Sequence, residues 1–274
     1  MIGSVVLAAA EAPSAAVTGG FWAETAWIML ITPFLAFLAI LAVGKRLKYN
    51  GAEFAIGALA VNTVWAAVLF VMNMTGGVRY EGSFVVGNIG SGLVFELGWV
   101  VDGLSIMMYL LVNLVGLLVF IYAVGYMAGD RRVPWFFAAF SLFAGSMLLL
   151  VGAPNLIQMI IGWEGVGLAS YLLIGFYWED HENVNAGNKA FMVNKLADVG
   201  LLLGAVLVGV ALGTFDFAAL NTAATEGHAG LSAVAIAGGA LLFFGAMGKS
   251  AQFPFHIWLP DAMAGPTPVS ALMH

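Results

Sequence analysis

Apolar stretches of membrane-crossing length alternate with short polar breaks, running from Ala26 to Val43, Ala52 to Met74, Val100 to Tyr126, Val133 to Val151, Asn155 to Tyr177, Ala186 to Leu212 and Leu231 to Gly248. Each approaches the roughly 20 residues a helix needs to cross a bilayer core. The pattern predicts seven spanning helices. An eighth begins after Pro266 and Pro268, where a helix start tolerates proline, but His274 is reached before it could cross, which reads as a fragment or a split subunit. Between the second and third runs, Val78 to Gly98 mixes Gly, Val and Phe with Tyr80, Glu81 and Glu96, and is expected to form an extended hairpin outside the lipid. Met1 to Gly20 is Ala-rich without a basic leading segment, so a loose N-terminal extension is expected in place of a cleaved signal peptide. The organisation is then an extension over 1–25, helices one to three with their extracytoplasmic hairpin over 26–128, and helices four to seven with the start of an eighth over 129–274, an all-α polytopic membrane protein.

Composition agrees, since a chain with 62% hydrophobic and 9% charged residues has too little polar surface to cover a soluble globule. The net charge of −6 is dispersed, and no basic stripe exists for nucleic acid to dock on. Without cysteine the chain offers no disulfide, thiolate metal site or iron–sulfur ligand of its own. Basic residues set the orientation, because positively charged loops are retained on the cytoplasmic side. Lys45, Arg46, Lys48, Arg131, Arg132 and Lys189 occupy the first, third and fifth loops, whereas the even loops offer Arg79. The odd loops are therefore expected to be cytoplasmic.

The remaining cations, Lys195 and Lys249, fall inside apolar runs, as do Glu164 and Asp198. An ionisable group near the bilayer centre costs at least ~2.5 kcal/mol, which makes each a functional candidate with a partner to be found. Glu164 sits in Gly162-Trp163-Glu164-Gly165-Val166-Gly167, where glycines permit close approach of another helix. Lys195 precedes Asp198 by three residues, so the two share a helical face and can pair locally. Directly after Lys249, Pro254 breaks the seventh helix at membrane depth, and a second half-helix is expected over Phe255 to Ala262. Free carbonyls at such a break are tolerated where protein buries them or water fills a cavity, an arrangement found in transporters. Burial favours the neutral forms of Lys249 and Glu164 while mutual proximity favours the charged ones, so a pair that separates and re-forms can move protons.

Plainer readings stand beside these. Glu164 with Lys249, and more readily Lys195 with Asp198, could be static structural ion pairs. His256 either lines the hydrated region beside the break or packs as an ordinary histidine. Asp102 belongs at the outer interface, and Asp180-His181-Glu182 reads as a solvated turn, with no metal site expected. Gly165-Val166-Gly167 begins like a dinucleotide fingerprint, yet it follows no strand and tight packing explains it better. Trp22, Trp27 and Trp178 suit interfacial belts.

Three segments resemble a known family: Gly162-Trp163-Glu164-Gly165-Val166-Gly167-Leu168-Ala169-Ser170-Tyr171 onward to Tyr177, Asn188-Lys189-Ala190-Phe191 to Asp198-Val199-Gly200, and Gly248-Lys249-Ser250-Ala251-Gln252-Phe253-Pro254 on to His274. They are similar to subunit L (chain 5) of respiratory complex I, the NADH:quinone oxidoreductase, and the likeness covers most of the chain after Val100. The resemblance implies a truncated antiporter-like fold, with 129–274 as its first antiporter-like repeat, in a multi-pass subunit of the bacterial inner membrane. It implies proton translocation coupled to quinone reduction elsewhere, no cofactor in this chain, and flavin, iron–sulfur clusters and quinone in partner subunits. By the same resemblance Glu164 and Lys249 match the family's charged pair, Asp198 its sixth-helix carboxylate and His274 its eighth-helix histidine, while Lys195 fills a basic position. Expected partners are the other membrane subunits, neighbouring antiporter-like ones above all, with lipid and protons. The rival readings are the large subunit of a multisubunit sodium/proton antiporter, which shares the fold, and a passive membrane scaffold. The proton is the expected ion, because no cluster of oxygen ligands for sodium can be identified.

Overall fold

A computed structural model describes residues 20–88, 94–226 and 232–274; residues 1–19 of the expected extension, 89–93 of the expected hairpin and 227–231, with Leu231 at the start of the seventh apolar run, lie outside the described residues. After a short helix α1 (Gly20–Glu24), the helices long and apolar enough to cross a membrane are α2 (Trp27–Val43), α3 (Ala52–Gly76), α4 (Gly103–Tyr126), α5 (Val133–Val151), α6 (Leu156–Ile174) and α7 (His181–Leu212). Six such helices stand among the described residues, one fewer than the hydropathy pattern predicts, because the seventh, α9 (Ala233–Lys249), has only 17 residues. At 1.5 Å per residue that is about 26 Å, short of a ~30 Å hydrocarbon core. An irregular segment follows Lys249, and α10 (Thr267–Met273) comes after it. A short helix, α8 (Phe217–Glu226), lies between α7 and α9. The chain is a multi-pass membrane protein.

Strands β1 (Tyr80–Asn88) and β2 (Val94–Val101) form an antiparallel hairpin between α3 and α4, in register from Tyr80 opposite Val101 to Asn88 opposite Val94 with an irregularity between Val85 and Gly87. The even loops meet at this end. Val100 N–H donates to the Gly152 carbonyl (3.0 Å), and the N–H groups of Leu156 and Phe217 donate to the carbonyls of Phe215 and Pro154 respectively (both 2.9 Å). Gln158, wholly buried in α6, clips the hairpin to the bundle: its Oε1 accepts from Gly98 N–H (2.6 Å) and its Nε2 donates to the Gly98 carbonyl (2.8 Å). At the opposite end Gly44 packs against Pro134 and Arg132 pairs with Glu179 (3.0 Å), which joins the first, third and fifth loops. The basic loops are thus gathered at one end, as the orientation argument requires.

Helix ends follow their sequences. Asp102 caps α4 in a reciprocal box with Ser105, and Asn155 caps α6 by accepting from Gln158 N–H (2.8 Å). Inside α2, Pro33 cannot donate to the Met29 carbonyl four residues back; Asn62 of α3 donates to it instead through Nδ2 (3.0 Å), so the freed acceptor is not left bare in lipid. Asp180 accepts from Glu182 N–H (3.0 Å) and starts α7 at His181, five residues before the apolar run. Asp180-His181-Glu182 is therefore a capped helix start, not a free turn. Glycines let α7 and α9 touch: a Cβ on Gly204 would stand 2.6 Å from the Gly238 carbonyl oxygen, and one on Gly245 would stand 2.6 Å from Leu201 Cβ. Such backbone proximity is what helices in lipid use in place of a hydrophobic driving force.

Candidate functional site

The tight α7–α9 seam ends where Gly248 abuts Ala197, and this places Lys249, the last residue of α9, beside α6 and the charged turn of α7. The backbone then breaks. Ser250 N–H still reaches the Ala246 carbonyl (3.0 Å), Ala251 enters the left-handed region (φ +50°), and the Phe253–Pro254 peptide is cis. Beyond the proline the expected half-helix over Phe255 to Ala262 is not formed. Two 3-10 turns, Phe255–Trp258 and Asp261–Ala264, replace it; Pro260, inside that stretch, lacks the N–H that a regular helix there needs. Trp258 folds back across the break and donates its indole N–H to the Gly248 carbonyl (3.0 Å), satisfying an acceptor at the end of α9.

Glu164 lies midway along α6. Gly162 and Gly165 turn toward α5, where added Cβ atoms would meet Leu150 backbone and Ser146, while a Cβ on Gly167 would stand 3.2 Å from Lys249 Nζ. The glycines thus split their work between packing α5 and admitting the lysine. Glu164 does not pair with Lys249 as the sequence suggested: its carboxylate engages Lys195 of α7. Lys195 also holds Asp198 one turn along (3.3 Å), so two carboxylates share one ammonium. Asp198 is buried at 2% exposure and accepts a 2.6 Å hydrogen bond from the Trp163 indole N–H. Lys249, by contrast, has no carboxylate within ion-pair distance among the described residues; its ammonium donates to the Trp163 carbonyl (3.3 Å) and lies 5.1 Å from the centre of that indole. Trp163 therefore links both halves of the cluster. Its neighbour Glu164 drew the sequence reading, but an indole N–H inside a span needs a polar partner, and that requirement was a usable signal.

Lys195, Asp198, Lys249 and His274 all line one cavity of about 510 Å³, whose other polar lining includes Asn194, Ser170 and Tyr171. Glu164 reaches it through Lys195. His274, at the end of α10, stands with its ring 6.1 Å from that of Trp258. His256 does not line the cavity; it is exposed and stacks on Phe253 at 5.7 Å. Formal charges around the site cancel, with Glu164 and Asp198 against Lys195 and Lys249. At the basic end, Lys189 of α7 pairs with Asp261 (2.7 Å) and ties α7 to the segment beyond the break.

Residues 153–274 match the family model described as NADH:quinone oxidoreductase/Mrp antiporter, and residues 88–137 match the one for the N-terminus of chain 5 of NADH-ubiquinone oxidoreductase (complex I). Chain 5 of the NAD(P)H-quinone oxidoreductase of Synechocystis sp. is 40% identical over 266 residues, covering 92% of this chain and 38% of the relative. The chloroplastic subunit 5 of Cryptomeria japonica is 42% identical over 264 residues, with 91% and 35% covered. The chain thus spans less than two fifths of the length of these relatives. Among solved structures, the Mrp complex of Dietzia sp. superimposes with a TM-score of 0.76 at 26% identity, covering 91% of this chain and 26% of that one. The archaeal membrane-bound sulfane sulfur reductase gives the same TM-score at 19% identity over 90% of this chain and 49% of that one, a likeness of fold. Over these residues the chain is similar to the antiporter-like membrane subunits typified by chain 5 of NAD(P)H-quinone oxidoreductase.

Proposed function

We propose that this chain carries protons across a bacterial inner membrane as part of an NADH:quinone oxidoreductase, through Glu164, Lys195, Asp198, Lys249 and His274. Quinone reduction in partner subunits, which hold the flavin, iron–sulfur clusters and quinone, drives it, and neighbouring antiporter-like subunits adjoin it. One observation carries the reading: four charges of balanced sign meet beside a helix break, and four of the five named groups line a single cavity. Two carboxylates compete for Lys195. When it leans toward Glu164, Asp198 is left to favour the charged form of Lys249; when it leans toward Asp198, that support weakens and Lys249 releases its proton to the cavity. Moving each charge against the membrane potential takes about 2.3 kcal/mol per 100 mV, a load that redox work elsewhere must supply.

The likeness to the Mrp complex favours the second reading, a sodium/proton antiporter subunit. Inverted membrane vesicles carrying the assembled complex separate the two. NAD(P)H oxidation in sodium-free buffer should acidify the lumen, and Glu164→Gln should reduce that acidification while quinone reduction in partner subunits stays detectable. Proton movement driven by a sodium gradient, with none driven by NAD(P)H, would overturn the first reading in favour of the second.

A further inference from the structure

Lys189 and Asp261 stand outside the buried charge cluster, yet their ion pair (2.7 Å) bridges two walls of the cavity. Lys189 precedes Ala190 on α7, Asp261 lies two residues beyond Leu259, and both Ala190 and Leu259 line the cavity. With Ile174 of α6 and Trp258, which also line it, these two pack against Ala186 and Ala262 in one apolar cluster. Ala186 is a turn nearer than Ala190 to the start of α7, so this cluster separates the cavity from the basic end of the bundle. The backbones around it are in close contact: a Cβ on Gly187 would stand 3.2 Å from Gly175 N, and one on Gly265 would stand 2.8 Å from the Leu173 carbonyl oxygen. Polar ties are fewer. Trp258 anchors the near end of the segment beyond the break to Gly248, but among the described residues no backbone hydrogen bond joins the turn Asp261–Ala264 to α7, which leaves the ion pair as the polar tie at the far end.

We propose that Lys189 and Asp261 form a latch on the cytoplasmic side of the cavity. Paired, they hold the turn against α7 and keep the apolar cluster closed and dry; parted, they let the turn move away and water, with protons, reach Lys195, Asp198 and Lys249. This rests on the reading of the cavity as a proton path. An apolar constriction gates by expelling water, so a small separation of its walls is enough to change its state. The pair suits that work by its exposure, 41% for the Lys189 side chain and 45% for that of Asp261. Charges so exposed are held weakly and screened by salt, so the contact breaks and re-forms readily.

Ser170→Cys on α6, one turn before Ile174, puts a single thiol on the cavity side of the cluster, in a chain with no cysteine of its own. The assembled complex in inverted vesicles is treated with a small cationic methanethiosulfonate on the cytoplasmic face, and label is counted on the separated chain. Adding Lys189→Gln or Asp261→Asn should speed labelling about two- to fivefold, which is what an exposed pair is worth. The two changes shift the local charge in opposite directions, so acceleration by both reports opening and not attraction of the reagent. Charge reversal, Lys189→Glu with Asp261→Lys, should return the rate toward that of Ser170→Cys alone. Raising the salt concentration should also speed labelling of Ser170→Cys and leave the Lys189→Gln combination unchanged; the salt response of Ser170→Cys decides if the pair variants fail to assemble. Single variants that label no faster than Ser170→Cys alone, no recovery on charge reversal, or labelling of Ser170→Cys indifferent to salt would each overturn the latch. Labelling involves no proton transport, so its failure sinks the latch alone, whereas a Lys249→Ala complex that pumps like wild type, with labelling as expected, sinks the proton path and leaves a latch on water entry.

Discussion

Neutralising Asp198 tests whether the buried charges share one field. Asp198→Asn keeps the side-chain volume and leaves an oxygen that can still accept from Trp163, so the change is confined to one negative charge. Glu164 and Asp198 balance Lys195 and Lys249 in the native site, and the substitution removes the negative charge at a position only 2% exposed, leaving one positive charge beside it unmatched. Breaking a buried pair by removing one partner costs about 3–5 kcal/mol. For a chain of this size that corresponds to a fall of roughly 6–20 °C in the thermal midpoint. Adding Lys249→Met restores neutrality, with Glu164 left against Lys195. The double variant should therefore unfold at a higher temperature than Asp198→Asn alone, with a favourable coupling of about 0.5–3 kcal/mol. Detergent-solubilised complex, followed by thermal unfolding and by the amount assembled in membranes, reads both. A double variant whose cost equals or exceeds the sum of the single costs would refute the shared field, and the charges would then be independent features of separate helices.

Other parts of the structure make equally direct claims. With no native cysteine, Lys48→Cys and Arg131→Cys should be labelled by an impermeant maleimide from one side of the membrane and Ser83→Cys from the other; labelling of the first two from opposite sides would break the topology. Gly204→Leu would drive a side chain into the Gly238 carbonyl and should cost about 1–3 kcal/mol by overpacking, with proton pumping lowered because Lys249 rides on the displaced helix; an unchanged midpoint and rate would show the α7–α9 seam to be slack. Gln158→Leu strips both partners from buried Gly98 and should cost about 1–3 kcal/mol for each orphaned group, seen as a lower midpoint and faster proteolysis of the hairpin; resistance equal to wild type would count against the clip.

The chemistry of the site is easier to read from sequence than its geometry. Glu164, Lys195, Asp198 and Lys249 stand out because each interrupts an apolar run that lipid would otherwise keep uncharged. Which of them pair is not readable, since that depends on how α6 and α7 are rotated about their axes, and Glu164 meets Lys195 where the sequence pointed to Lys249. The local Lys195–Asp198 pair is readable because three residues on a helix bring side chains together. The start of α7 is hidden for a physical reason: at about 1.5 Å per residue its 32 residues far exceed a bilayer core, so its first turns are polar and hydropathy stops short of them. Pro254 marks where a helix breaks but leaves open the conformation of the chain beyond it, so the 3-10 turns after Lys249 come from the structure alone. Gln158 carries a weak signal in sequence: it sits three residues after the capping Asn155, a spacing that brings it to the end of the bundle where the hairpin lands.

The central claim is that Lys249 carries protons and does more than hold the break together. NADH-driven proton pumping and NADH:quinone turnover, measured side by side in membranes carrying Lys249→Ala in the full complex, test it most directly. The account predicts normal assembly with fewer protons moved per electron; unchanged pumping and unchanged turnover would contradict it and leave Lys249 as a structural cation resting on Trp163.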